Sequence, residues 1–100
     1  MGTSLAGVLM LVHAMLCMNG HPVQRSPHVT YGHRHCPVGT VRDHIVPLCL
    51  GGPDAADNIQ CQPREPSYAK DKRERAACDA YCAGEITIDQ ARGAFHREYK

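Results

Sequence analysis

The sequence predicts a small α+β domain in the order strand, loop, strand, long helix, short helix, and three observations carry that reading. Residues 38–46 form a β-type run, and the loop Gly51-Gly52-Pro53-Asp54 can turn the chain back into a short strand over residues 58–61. From Ser67 onward the apolar spacing becomes helical, with Tyr68, Ala69, Ala76, Ala77, Ala80 and Tyr81 as the apolar positions. Thr87-Ile88-Asp89-Gln90 then has the form of a capping box and starts a second helix.

The length allows one domain: 100 residues, 43% hydrophobic, with four Tyr, one Phe and no Trp. A core of that size gains little from burial alone, so crosslinks, a metal or a partner are expected to support it. A formal charge of +1 gives no general attraction for nucleic acid, so any such attraction has to be local. Residues 21–42 carry Arg25, Arg34 and Arg42 with four His and no acid, and Lys70, Lys72, Arg73 and Arg75 share one helical stretch. Either group could meet phosphates. For the helix, interleaving with Asp71, Glu74 and Asp79 describes a solvated face equally well.

Taken in order, residues 5–16 are an apolar run too short to span a bilayer but of the length of a secretory h-region. Residues 1–20 therefore read as a signal peptide, with small residues at Val12-His13-Ala14 and Met18-Asn19-Gly20 as cleavage points, although no Lys or Arg precedes the run. A buried N-terminal helix is the competing reading. Residues 21–37, rich in Pro, His and Gly, have no helical or alternating period and form an extended arm. His33, His35 and Cys36 are of zinc-ligand type, but no C-x-x-C pair completes a site, so no structural zinc is expected.

Residues 38–100 form the domain proper. Pro63 and Pro66 stop the sheet and prepare a helix start, Asp71 and Arg75 make an i,i+4 pair, and Gly84 is a C′ stop. The second helix should run over residues 88–97, with Ile88, Ala91 and Phe95 facing the first and Gly93 weakening it. Six cysteines are present, and removal of a signal would take Cys17 and leave an odd number. An exported domain would then use some as disulfides, for instance by joining Cys78 and Cys82, one helical turn apart, to Cys36 and Cys61. In a cytoplasmic protein they would be small buried residues.

The chemistry concentrates at Asp43-His44. A carboxylate is a hard oxygen ligand for Mg²⁺ or a similar cation, and an imidazole of pKa about 6.5 suits proton transfer at neutral pH. Adjacent residues on a regular strand face opposite ways, so both serve one site only if the backbone bends, and Pro47, Gly51 and Gly52 mark irregular backbone just downstream.

Three blocks in order, Asp43-His44 through Pro47, Leu48, Leu50, Gly51 and Gly52, then Asn58-Ile59-Gln60, then Lys70-Asp71 with Glu74, resemble the small phage and bacterial branch of the HNH endonuclease family. The resemblance covers residues 41–74 and, more loosely, the tail to Tyr99. It implies a ββα-metal finger with a C-terminal helix packed on the long helix. It implies further a metal-dependent endonuclease that cleaves DNA, or RNA, with Mg²⁺ or Mn²⁺. His44 would be the general base, Asp43 a metal ligand, and Asn58 the amide that brances the loop bearing the base, where a turn-forming Asn is the plain alternative. The chain departs from the family where the helix should supply a second metal-ligating His. Asp71 is placed there as ligand, with Lys70 as a phosphate contact and Lys72, Arg73 and Arg42 as further nucleic-acid contacts. Alternatively Asp71 only pairs with Arg75, and Glu74 is the next candidate one turn along. The expected setting is secreted or periplasmic, or cytoplasmic and phage-associated, with no membrane span. A second function class is a disulfide-stapled nucleic-acid- or protein-binding domain that keeps the finger without turnover.

Overall fold

The computed structural model describes residues 4–23 and 28–100. Helix α1 spans Leu5–Leu16 and begins at Ser4, whose hydroxyl accepts from the Gly7 amide at 3.1 Å. Two residue pairs, β1 (Cys17–Met18) and β2 (His21–Pro22), form a minimal antiparallel ribbon. The main hairpin is β3 (Thr40–His44) with β4 (Ile59–Pro63), antiparallel, with Asp43 opposite Gln60 and His44 opposite Ile59. Helix α2 spans Arg64–Cys82 and α3 spans Ile88–Gly93. The class is α+β, with the expected strand, loop, strand, helix, helix order.

Helix α2 starts at Arg64, before Ser67, because Pro66 falls in the first turn, where its missing N–H has no helical acceptor to lose. It ends as expected. Gly84 adopts φ 78° and donates to the Tyr81 carbonyl at 3.0 Å, while the Glu85 amide reaches the Ala80 carbonyl at 2.9 Å, the two bonds of a Schellman motif. Thr87 and Gln90 form the capping box through bonds of 3.0 and 2.9 Å. Helix α3 stops at Gly93, short of residue 97, and Phe95 is buried from the irregular turn that follows. The tail then returns to the hairpin: Gln60 Oε1 accepts from the Glu98 and Tyr99 amides at 2.8 and 3.1 Å, and the Cys61 amide donates to the Lys100 carbonyl at 2.9 Å.

The inward stripe of α2 differs from the one apolar spacing suggests. Tyr68 is 59% exposed and Ala69 and Ala76 are exposed, whereas Ser67, Lys70, Cys78 and Tyr81 are buried. The reason lies on the hairpin. Its helix-facing side carries Asp43, Gln60 and Gln62, all buried, and the Asp43 carboxylate takes its counter-charge, Lys70, from the helix above it. The apolar core is displaced toward one end of α2, where Leu16, Leu50, Tyr81, Ile88, Ala91 and Phe95 gather.

Three disulfides knit these parts together: Cys17–Cys82 joins β1 to the end of α2, Cys36–Cys61 joins the arm to β4, and Cys49–Cys78 joins the interstrand loop to α2. No described cysteine is free. The odd count followed from removing Cys17; with Cys17 present the cysteines pair completely, and Cys78 and Cys82 take Cys49 and Cys17 as partners. Disulfides of this number belong to an oxidising, extracytoplasmic environment. Among the described residues no helix is long and apolar enough to cross a membrane.

Candidate active site

The site lies where the loop between β3 and β4 leaves His44. That loop is held in shape by Asn58. Its Oδ1 accepts from the Val46 amide at 3.0 Å, and its Nδ2 donates to the Val46 carbonyl at 3.0 Å and the Pro53 carbonyl at 2.9 Å. The Ile45 amide also donates to the Asn58 carbonyl at 2.7 Å, so loop start and loop end are locked together. Gly52 is required sterically, since a Cβ there would strike the Val46 carbonyl. Asn58 therefore braces the segment that carries His44.

Strand alternation sends Asp43 and His44 to opposite sides of β3. On the outer side, His44 Nε2 lies 2.8 Å from Asp54 Oδ1, with His44 only 8% exposed. Asp54 also accepts from the Thr30 amide at 2.6 Å, the Tyr31 amide at 2.7 Å and the Thr30 hydroxyl at 2.9 Å. These bonds, the Thr30 amide first and His44 next, hold the Asp54 carboxyl far below the usual carboxylate range, so it stays ionised. An ionised acceptor at Nε2 fixes the proton there and leaves the Nδ1 lone pair of His44 available. The Tyr31 ring lies against the His44 ring at 4.7 Å, and the Arg42 guanidinium sits 4.7 Å over the Tyr31 ring.

On the inner side, both Asp43 oxygens lie 3.0–3.1 Å from Lys70 Nζ, and Gln60 Nε2 donates to Asp43 Oδ2 at 2.9 Å. Lys70 also donates to the His44 carbonyl at 2.8 Å and to Glu74 Oε2 at 3.1 Å, beneath the Phe95 ring at 5.2 Å. Lys70 is 1% exposed, so the residue expected at a phosphate has its ammonium among protein oxygens. Burial raises the Glu74 carboxyl to about 6, against the lowering effect of Lys70.

One cleft, about 290 Å³, is lined by both sides of the hairpin: Tyr31, Arg42, Asp43 and His44 with Asp71 and Glu74 from α2. Asp71 is exposed in it, and among the described residues no ion pair joins it to Arg75. Lys72 is exposed, and Arg73 pairs with Glu98 at 3.6 Å at the surface. Arg25 lies outside the described residues. Among the described residues no three of His, Cys, Asp and Glu are grouped to hold an ion, and the Asp43 carboxylate is matched by Lys70 and Gln60.

Sequence reasoning missed Asp54 and Tyr31. Asp54 was part of a turn signal, although a carboxylate ten residues beyond His44, in a loop that must return past the strand end, is placed to meet an imidazole. Nothing local marked Tyr31, which reaches the site only through the tertiary course of the arm. Comparison of the chain with protein-family models, with curated proteins and with solved structures finds no match.

Proposed function

We propose that the chain is a nuclease that hydrolyses DNA phosphodiesters, with His44 as general base and Asp54 as the residue that orients it. The observation that carries the proposal is the Asp54–His44 pair at 2.8 Å, half-sheltered at a cleft that also holds Arg42. In the reaction, Nδ1 of His44 takes a proton from water as the water oxygen attacks phosphorus. The bond to the 3′ oxygen breaks, and that oxygen leaves as the 3′ hydroxyl after gaining a proton from solvent, with the phosphate on the 5′ product. Arg42 lies where it can offset phosphate charge, and Asn58 keeps the base-bearing loop from relaxing. These roles agree with those the HNH resemblance implies for His44 and Asn58.

The same resemblance implies a divalent metal, which would supply charge neutralisation at the scissile phosphate. Asp43, the ligand that the resemblance names, does not fit that role as it stands, because Lys70 and Gln60 occupy its carboxylate. Asp71 and Glu74 are the carboxylates on α2 nearest to that role, and Lys70 holds Asp43 in place rather than meeting substrate. A plasmid-nicking assay with Mg²⁺, Mn²⁺ or chelator tests the proposal. His44→Ala should abolish nicking while nucleic-acid binding and the folded circular-dichroism spectrum persist; a variant that nicks at the parental rate overturns it. The neutralisation of Asp43 by Lys70 favours one other reading, a stapled binding domain without turnover, which binding without nicking under every metal condition would establish.

Export belongs to the same proposal. Helix α1 leaves Leu5, Met10 and Leu11 largely exposed, as befits a segment removed before the protein acts, and the disulfides call for an oxidising compartment. Cleavage after Ala14 keeps Cys17 for Cys82, whereas cleavage near Gly20 strands Cys82. Mass spectrometry of secreted protein should show a chain beginning at Met15 with every cysteine resistant to alkylation; an intact Met1 with alkylatable thiols is the contrary result.

A further inference from the structure

A second groove, about 570 Å³, lies beside the cleft on the arm side of the hairpin, lined by Tyr31, Arg34, His35, Thr40 and Arg42 among others, with no Asp or Glu among the described residues of its wall. It shares Tyr31 and Arg42 with the cleft that holds His44, so the two depressions adjoin across these two side chains. Their electrostatics differ. The cleft contains Asp43, Asp71 and Glu74, while the groove offers guanidinium, imidazole and hydroxyl donors only.

The groove is built, not incidental. Arg34 is anchored by a 2.9 Å bond to the Ile59 carbonyl, and the Cys36–Cys61 disulfide fixes the arm against β4. Tyr31 adopts φ 54°, a left-handed conformation that a bulky residue takes up only when its surroundings hold it, and here Asp54 grips its amide. Its two ring neighbours are Arg42 and His44, so the shared wall of groove and cleft is a stack running from a surface cation to the proposed base.

We infer that this groove is a track for the phosphodiester strand flanking the bond to be cut, with Arg42 at the junction and Arg34 and His35 meeting the next phosphates. The inference rests on the nuclease reading and deepens it: the substrate is a polymer whose strand continues from the cleft into the groove, not a mononucleotide. Contacts of this kind set position and affinity and carry no base preference. They also make binding depend on salt, by a slope of about 0.7 per phosphate contact on a single strand.

The test uses full-length disulfide-bonded protein carrying His44→Ala, so that the probe survives, and a short fluorescein-labelled single-stranded oligodeoxynucleotide followed by anisotropy over a range of KCl. Adding Arg42→Glu should weaken binding about tenfold and lower the salt slope by about one contact, and His35→Glu, which sets a carboxylate where the next phosphate would lie, should weaken binding as well. The Arg42 charge reversal repeated at Arg75→Glu, on the exposed part of α2, should do much less than either. Equal losses at all three positions, or no measurable binding at low salt, overturn the track. Failure of the two readings is distinguishable. Binding through the groove by a parental protein that never cleaves removes the nuclease and keeps the track; cleavage with binding indifferent to groove charge does the reverse.

Discussion

The two faces of the β3–β4 hairpin are both polar at their centre, yet they handle charge in opposite ways. On the helix side, Asp43 meets Lys70 and Gln60 in a buried, fully matched network, roofed by Phe95. On the arm side, His44 meets Asp54 next to an open cleft, and its other imidazole nitrogen makes no hydrogen bond among the described residues. The two residues are neighbours in sequence and differ only in which face the strand gives them. A closed network of charges contributes a unique packing and is costly to break; an open pair with a spare lone pair is what proton transfer needs. Under the proposed function Asp43 belongs to architecture and His44 to chemistry, and substitutions centred on Lys70, Asp54 and Glu74 probe that division.

The largest effect is expected at Lys70. Lys70→Met keeps the length of the side chain but leaves Asp43 buried without its cation, and removing one partner of a buried pair costs about 3–5 kcal/mol. Urea unfolding should show that loss as a lower midpoint with little change in slope. Adding Asp43→Asn removes the orphaned charge and should recover part of the stability. If Lys70→Met unfolds like the parent while oligonucleotide binding collapses, Lys70 belongs to the substrate and the closed face is misassigned.

How far the sequence foretold this arrangement depends on what each element needed. The hairpin, the Schellman stop at Gly84 and the Thr87–Gln90 box were legible because each depends on residues within a few positions. Asn58 was legible through its place in a block. The inward face of α2 was not. Apolar spacing pointed to Tyr68 and Ala76, while the stripe that docks is centred on a lysine, and only the polar sheet opposite explains that choice. Disulfide partners and the approach of Tyr31 to His44 are long-range outcomes that no local pattern encodes.

On the open face, Asp54→Asn should lower kcat by on the order of 10²-fold, about 2.7 kcal/mol, because an amide no longer fixes the imidazole tautomer or supports its protonated form. The KM for DNA should stay near the parental value, since Asp54 touches no substrate in the proposed arrangement. A change in KM alone would instead mean that Asp54 matters only by holding the Thr30–Tyr31 turn.

The smallest effect sits where the two faces meet, at Glu74, which lines the cleft and also bonds Lys70. Its carboxyl is raised from 4.5 to about 6, chiefly by burial. A folded-state pKa above the unfolded one means that the folded protein binds the proton more tightly, so this group favours folding below about pH 4.5 and loses that contribution as pH rises through about 6. The loss is on the order of 1 kcal/mol once solvent screening of a partly exposed side chain is allowed for. Glu74→Gln cannot ionise and should flatten stability between these pH values, measured as urea midpoints at several pH values, while leaving Lys70 matched by Asp43. Should the parental profile instead rise steadily from pH 4 to 7 with Glu74→Gln following it, the Lys70 charge outweighs burial at Glu74, and the closed network extends one residue further into the cleft than the comparison of faces allows.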